Sequence, residues 1–114
     1  MLNPDVQKIY KRKTRKSEIL YRRAMKVFAG GVNHNIRFYE PYPFFATSAK
    51  GKYLYDIDGN RYTDYWMGHW ALILGHSPKP IVKALSDQAK NGTLYGTANK
   101  VSVELGELIK KLMP

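Results

Sequence analysis

At 114 residues with 44% hydrophobic side chains, the chain is long enough for one small domain with a core of its own. It contains no cysteine, which excludes disulfides, zinc–thiolate sites and thiol catalysis. Its start, MLNPDVQKIYKRKTRK, lacks the apolar core of a secretory signal, and no apolar run approaches the roughly 20 residues that cross a bilayer. We therefore expect a cytoplasmic protein with no membrane partner.

The net charge of +10 is concentrated near the start of the chain. The first 26 residues carry nine Lys and Arg against Asp5 and Glu18, a net charge of +7, so the other 88 residues carry only +3. Such a run usually forms a solvated helix face or tail, and the alternatives are contact with an anionic partner, a nucleic acid or a membrane surface. Because the charge is confined to this segment, a nucleic-acid-binding module is the weaker hypothesis, and it predicts an affinity that falls steeply with salt.

Two helices are predicted before residue 30. Residues 3–5, Asn-Pro-Asp, are typical of a helix start, with a capping amide, a proline in the first turn and an acid near the positive end of the helix. Ser17-Glu18 indicates a second start. The apolar stripe that follows consists of Ile19, Leu20, Ala24, Val27 and Phe28. Ala29-Gly30-Gly31 should end this helix, because glycine adopts the left-handed backbone at low cost.

A long irregular segment and a β-rich stretch follow. Residues 32–43 contain two prolines and several aromatic residues, which favours a packed, functional loop over disorder. Strands are predicted at residues 44–49, 53–57 and 61–66, and the last two flank Asp-Gly-Asn, a typical hairpin turn. The apolar run at residues 70–74 is expected to be buried.

Two further helices are predicted after residue 77. Pro78 and Pro80 suit a first helical turn, and the apolar face of this helix should end at Asn91-Gly92. A second irregular loop covers residues 93–98. Asn99 can cap a last helix with apolar residues at helical spacing. No strand follows that helix, so we expect a fragment of a larger protein that leaves apolar surface exposed.

Few side chains point to chemistry by themselves. No complete catalytic set is visible, and three histidines far apart in sequence do not predict a metal site. Asp56, Asp58 and Asp64 lie in or beside the hairpin, so structural roles are expected for them. Arg37 lies in an apolar, aromatic loop, where a guanidinium could hold a carboxylate through two parallel hydrogen bonds. An ion pair between Arg37 and Glu40 is an equally good explanation.

Trp70 also allows two interpretations. It follows a Gly-His pair and begins the apolar run, so its indole is either part of the core or a flat wall against which a planar ligand stacks. The residues alone do not decide between these alternatives.

Three segments together resemble class III aminotransferases, and among them the aminomutases. They are GGVNHNIRF at 30–38, KGKYLYDIDGNRYTDYWMGHWALILGH at 50–76 and NGTLYGTANKVSVELGELIKKLMP at 91–114. The hairpin motif alone has low specificity. The three segments in the family's order, over about 85 residues, are highly specific.

The resemblance implies an α/β fold, the N-terminal part of a fold type I transferase. It would contain N-terminal helices, a short antiparallel β-meander and helices leading into the large domain. We expect a basic helical arm at 1–28, a substrate-side loop and meander at 29–76, and a truncated start of the cofactor-binding domain at 77–114. The resemblance also implies pyridoxal 5'-phosphate, a small-molecule amino substrate, a homodimer with its active sites at the interface, and ping-pong amino-group transfer.

The resemblance also assigns roles to individual residues. Arg37 would bind the substrate carboxylate, Trp70 would line the substrate pocket, and Tyr95 would lie near the dimer interface and the active site. His34-Asn35 replaces a Ser-Pro of the aminomutases, and residues 69–72, His-Trp-Ala-Leu, replace Ser-Trp-Gly-Pro. Because His34 and His69 would lie around the substrate, a related class III enzyme with another substrate is an open alternative.

The family's catalytic groups are not expected within the chain. Its cofactor-binding lysine, the acid that pairs with the pyridine nitrogen and the phosphate-binding loop would all lie beyond Pro114. We therefore predict no catalytic residue here and no transaminase activity for the 114-residue chain alone.

Overall fold

The computed structural model describes residues 3–113. The chain forms two compact units, 1–78 and 79–114, and each is taken by itself below. The elements are α1 (Pro4–Lys13), α2 (Arg15–Ala24), β1 (Ala46–Lys50), β2 (Tyr53–Asp56), β3 (Arg61–Thr63), α3 (Lys79–Ala89) and α4 (Lys100–Leu112), with 3-10 turns at Ala29–Gly31 and Asn35–Arg37. Within residues 3–113, no helix has the length and apolar character needed to span a membrane.

The first helix begins where the sequence predicts. Asn3 Oδ1 accepts a hydrogen bond of 2.8 Å from the backbone N–H of Asp5, and Pro4 occupies the first turn. The predicted start of α2 at Ser17 is wrong, because that helix begins at Arg15 and Ser17 is buried within its first turn. The side chain of Thr14 does not cap α2, since its hydroxyl donates to the carbonyl oxygen of Tyr10 at 2.7 Å.

The end of α2 also differs from the prediction. The helix stops at Ala24, and the chain leaves it through a tight turn in which the N–H of Val27 donates to the carbonyl of Ala24 at 3.0 Å. Val27 and Phe28 are 72% and 47% exposed, so they do not extend a buried stripe. Gly31 follows with φ of +70°, and a Cβ at Gly31 would lie 2.5 Å from the ring of Tyr21, so only glycine fits there.

The three strands form an antiparallel meander in the order β1-β2-β3. In the hairpin, Tyr53 faces Thr63 and Leu54 faces Tyr62, which confirms the predicted turn at residues 58–60. The third strand is shorter than predicted, because Asp64 turns the chain by accepting the backbone N–H groups of the next residues.

The core of the first unit is small and largely polar. Tyr42 and Ala24 are its buried hydrophobic residues, and Thr14, Ser17 and Asp56 are buried beside them. Asp58 joins the hairpin to α2, since its carboxylate accepts the backbone N–H groups of Lys16 and Ser17 at 2.6 and 3.0 Å and the Ser17 hydroxyl at 2.7 Å. Burial alone would raise the pKa of Asp58, but these hydrogen bonds outweigh it and the pKa lies below its usual value.

Asp56 organises the hairpin turn from within. Its carboxylate accepts the backbone N–H groups of Asp58 and Asn60, the Asn60 side-chain amide at 2.9 Å and the Tyr62 hydroxyl at 2.7 Å. Burial and the hydrogen bond to Asp56 raise the pKa of Tyr62. Asp56 and Asp58 therefore have the structural roles that the sequence predicts.

The second unit contains α3 and α4, and its helix boundaries agree with the sequence. Gly92, with φ of +95°, follows α3, and Asn99 Oδ1 accepts the backbone N–H of Ser102 at 3.0 Å at the start of α4. The larger apolar residues of the two helices are 46% to 69% exposed. These residues are Ile81, Val82, Leu85, Val101, Val103, Leu105, Leu108, Ile109 and Leu112. The expected exposed apolar surface is thus confirmed.

Candidate functional site

The first unit concentrates backbone strain in one place. Among residues 3–113, the non-glycine residues with positive φ are Met67, His69, Trp70 and Ser77, and they all follow the third strand. Residues 67–70 all have positive φ and form a left-handed turn, in which the N–H of Trp70 donates to the carbonyl of Trp66 at 2.9 Å. We call residues 66–72 the left-handed corner.

This backbone conformation is costly. A left-handed helical residue other than glycine costs about 1–2 kcal/mol, so Met67, His69 and Trp70 together cost about 3–6 kcal/mol. Strained residues of this kind persist only where their surroundings hold them, and they cluster at functional sites. The left-handed corner is therefore the leading candidate for a functional surface in the first unit.

Aromatic rings surround the corner. The Trp66 ring lies 4.9 Å from those of both His69 and Trp70, measured between ring centroids. The His69 ring also meets that of His34 edge to face at 6.4 Å. The structure thus brings together three of the residues singled out from the sequence. Trp66 completes the cluster, and sequence reasoning missed it because it resembled the end of a strand.

The indole of Trp70 is not a core residue. It is 69% exposed, and Ile73 and Leu74 beyond it are 90% and 69% exposed, so the predicted burial of residues 70–74 is wrong. This run does not form a strand. Its first residue has a left-handed backbone, and the N–H of Leu72 donates a hydrogen bond to the carbonyl of Met67, which closes a turn. An exposed indole presents a flat apolar face to a ligand.

Arg37 lies at the end of the 3-10 turn that His34 caps through its Nδ1 atom, 3.3 Å from the backbone N–H of Ile36. The Arg37 guanidinium is exposed and donates to Asn33 Oδ1. It forms no salt bridge with any residue between 3 and 113, so the ion pair with Glu40 that the sequence allowed is not formed. Asn33 is a neutral partner, which leaves the positive charge of Arg37 uncompensated by this part of the chain.

Asp64 and His76 flank the left-handed corner in the sequence. Asp64 Oδ1 accepts the N–H groups of Trp66 and Met67 at 2.8 and 3.0 Å, and Oδ2 lies 2.7 Å from His76 Nε2. The side chains of Asp64 and His76 are only 6% and 15% exposed. Burial alone would raise the pKa of Asp64, but the hydrogen bonds with His76, Met67 and Trp66 outweigh it and lower the pKa.

The chain crosses itself closely beside this pair. Gly51 and His76 exchange two backbone hydrogen bonds of 2.9 and 2.8 Å. Gly75 has φ of +78°, and a Cβ at Gly75 would lie 3.0 Å from the Gly51 carbonyl oxygen. Glycine is therefore required at Gly75 for two independent reasons.

Tyr95 belongs to the second unit. It lines an open groove of about 560 Å³ formed by the loop at 93–97 and the start of α4. Its hydroxyl donates to the carbonyl of Asn91 at 2.9 Å and accepts from Gln88 Nε2 at 2.7 Å, so the ring is fixed and 46% exposed.

Among residues 3–113 we find neither a buried lysine nor an unengaged buried carboxylate that could hold pyridoxal phosphate. Every lysine between 3 and 113 is exposed, although a lysine that carries this cofactor must reach into a pocket. The carboxylates of Asp56, Asp58 and Asp64 are already engaged in internal hydrogen bonds. The side chains of the first unit that are available to a ligand include the guanidinium of Arg37, the imidazoles of His34 and His69, and the exposed indole of Trp70.

Comparisons with known proteins place these features in context. Residues 36–114 match a family model described as aminotransferase class-III. The chain is 43% identical over 99 residues to the glutamate-1-semialdehyde 2,1-aminomutase of Methanosphaera stadtmanae, covering 87% of this chain and 23% of that protein. The enzyme of the same name from Archaeoglobus fulgidus is 40% identical, with 87% and 24% covered. The chain therefore spans about a quarter of the length of these curated relatives.

Solved structures give the same result for the fold. A structure described as a transaminase with PLP bound is 33% identical, with a TM-score of 0.82 over 86% of this chain and 23% of that chain. A glutamate-1-semialdehyde-aminomutase from Pseudomonas aeruginosa has a TM-score of 0.81 at 22% identity, over 91% of this chain and 24% of its own. The expected architecture of helices and a small antiparallel sheet, as found in fold type I transferases, is confirmed.

Proposed function

The chain belongs to the class III aminotransferase family, and from this we propose that it forms the N-terminal part of a pyridoxal-phosphate-dependent enzyme that moves an amino group on a small carboxylate substrate. The relatives at about 40% identity favour a glutamate-1-semialdehyde 2,1-aminomutase-like activity. The chain's contribution is substrate binding. Because the chain spans only about a quarter of the length of its curated relatives, the 114-residue chain alone is expected to be inactive.

One observation carries this proposal, the uncompensated guanidinium of Arg37. Its side-chain partner among the described residues is the neutral amide of Asn33, which orients the guanidinium and leaves other N–H donors available. A carboxylate can accept two of these donors in parallel, which fixes its orientation as well as its position. We assign substrate-carboxylate binding to Arg37 on this basis.

The left-handed corner provides the second substrate contact in the proposal. Trp70 presents an exposed indole held by Trp66, and His69 and His34 lie beside it. In the proposal, this apolar wall excludes water from the substrate and restricts its rotation. Holding the substrate in one orientation favours reaction at the bond beside the bound carboxylate.

The wider setting completes the proposal. Pyridoxal 5'-phosphate, when bound, supplies the electron sink for chemistry at the carbon that bears the amino group. We propose a homodimer, supported by the exposed apolar faces of α3 and α4, with Tyr95 close to the interface. We also propose a cytoplasmic location, in keeping with a metabolic enzyme of this family. The family assignment argues against the nucleic-acid-binding alternative.

Arg37→Ala in the full-length enzyme tests the proposed role. Loss of a hydrogen bond to a charged group costs about 1.5–3 kcal/mol, so KM for a carboxylate substrate should rise about 10- to 100-fold. KM for an amine that lacks the carboxylate should not change. Arg22→Ala is the matched control, because Arg22 is also exposed and also bonds a side chain four residues away, that of Glu18. An unchanged KM in Arg37→Ala would remove Arg37 from this role.

A related class III enzyme with a different substrate is the second candidate. It is favoured by the contact of His34 with His69, since both replace residues of the aminomutase pattern and two imidazoles can bind a further polar group. His34→Ser with His69→Ser should shift preference toward glutamate 1-semialdehyde if the pair selects another substrate. Unchanged relative kcat/KM values would exclude the pair from selection.

A further inference from the structure

The strained corner lies between two side chains that meet each other. Asp64 stands just before residues 66–72 and His76 shortly after them, and Asp64 Oδ2 and His76 Nε2 are 2.7 Å apart. We propose that Asp64 and His76 form a clasp that holds the left-handed corner in its strained conformation and so positions His69 and Trp70. The clasp itself does not depend on the proposed function. Only the role of His69 and Trp70 in contacting a substrate rests on that function.

The first half of the clasp acts on the entry to the corner. Asp64 Oδ1 accepts both the Trp66 and the Met67 N–H groups, which fixes the direction in which the chain leaves β3. These two donors would otherwise lack a partner at the start of the turn. An ionised carboxylate suits this position, because it accepts several hydrogen bonds at once and donates none.

The second half of the clasp, His76, fixes the chain after the corner. Since the Asp64 carboxylate can only accept, His76 Nε2 must carry the proton of their shared hydrogen bond. The backbone of His76 is itself fixed to Gly51 beside the sheet by two hydrogen bonds. The corner is therefore closed at one end by the carboxylate and tied at the other end to the meander through His76.

Packing of the rings of Trp66, His69 and His34 provides only part of this restraint. Trp70, Ile73 and Leu74 are all at least 69% exposed, so burial contributes little to the order of the corner. The three non-glycine residues at 67–70 favour a return to right-handed or extended backbone. A buried, doubly anchored pair of side chains is the feature that opposes this relaxation.

Amide hydrogen exchange on the 114-residue chain tests the clasp directly. The informative amides are those of Trp70 and Leu72, because they bond to carbonyls within the corner and not to Asp64. In His76→Ala, both should exchange at least tenfold faster, while the Ile57 amide of the meander, which bonds to the carbonyl of Phe45, keeps its rate. Asp64→Ala should have the same effect and should also release the Trp66 and Met67 amides.

Asp58→Ala is the matched control. Asp58 is likewise an aspartate of the first unit that accepts two backbone N–H groups and one side-chain hydrogen bond, but it holds α2 and not the corner. It should accelerate exchange at Lys16 and Ser17 and leave the ratio of the Trp70 to the Ile57 rate unchanged. If Asp64→Ala does not fold, His76→Ala decides the question.

The proposal is overturned if exchange at Trp70 and Leu72 keeps its rate in His76→Ala. It is also overturned if those amides accelerate only in proportion to Ile57, since that pattern would indicate a loss of overall stability. Because exchange requires neither cofactor nor substrate, the result does not depend on whether the proposed enzymatic function is correct.

Discussion

Asp58→Ala should destabilise the first unit strongly for a single substitution on a turn. Asp58 replaces the missing local cap of α2, because its carboxylate binds two first-turn N–H groups that Thr14 does not reach. Loss of a helix cap costs about 1 kcal/mol, and loss of the acceptor for the fully buried Ser17 hydroxyl costs about 1–3 kcal/mol. We expect the free energy of unfolding to fall by about 2–4 kcal/mol.

Urea denaturation followed by far-ultraviolet circular dichroism measures this loss. Asp5→Ala is the control, since Asp5 is also an acid in the first turn of a helix but its side chain is 84% exposed. Its removal should cost less than about 1 kcal/mol. A loss below about 1 kcal/mol for Asp58→Ala, or one equal to that of Asp5→Ala, would refute the role of Asp58 as a cap supplied from the hairpin.

Three other predictions follow from the same contacts. Folding lowers the pKa values of Asp58 and Asp64, so the stability that these carboxylates contribute is present above about pH 4 and is lost as the pH falls through their folded-state pKa values. In an acid titration followed by circular dichroism, the free energy of unfolding should therefore depend less steeply on pH in Asp58→Asn than in the native chain. Gly75→Ala should lower the free energy of unfolding by about 1–3 kcal/mol, since alanine is strained at positive φ and its Cβ would meet Gly51. Urea denaturation measures this loss, and an unchanged urea midpoint would contradict the close approach of Gly75 to Gly51. Acrylamide should quench Trp70 fluorescence more in Trp66→Ala than in Trp66→Phe, because Trp70 is the sole tryptophan in both variants and only the second keeps a ring against that indole. Equal quenching would show that the two rings do not pack.

Local sequence signals predicted most of the elements. The structure confirms the caps at Asn3 and Asn99, the hairpin turn at 58–60 and the glycine turn at Gly92 that follows α3. All of these depend on residues close in sequence. The predicted start of α2 was wrong because the actual start depends on a contact that is distant in sequence. The acceptor for its first turn comes from Asp58, more than 40 residues away, and no local pattern can show such a contact.

The candidate site was only partly accessible from the sequence. Arg37 could be singled out because a lone charge in an aromatic loop is unusual, but its partner Asn33 was not predicted. Residues 70–74 read as buried because apolar runs usually are, whereas a left-handed backbone turns this run outward. The pairing of Asp64 with His76 had no signal beyond the two residue types, since it depends on how the chain folds back beside Gly51.

Arg37 and the left-handed corner are proposed to serve a pyridoxal-phosphate-dependent amino transfer. The most direct measurement is the consumption of glutamate 1-semialdehyde by the full-length enzyme with and without added pyridoxal 5'-phosphate, compared between the native sequence and Arg37→Ala. We predict cofactor-dependent turnover whose kcat/KM falls about 10- to 100-fold in the variant. Turnover that is independent of the cofactor would contradict the proposed amino transfer, and turnover that is equal in the two proteins would contradict the role of Arg37.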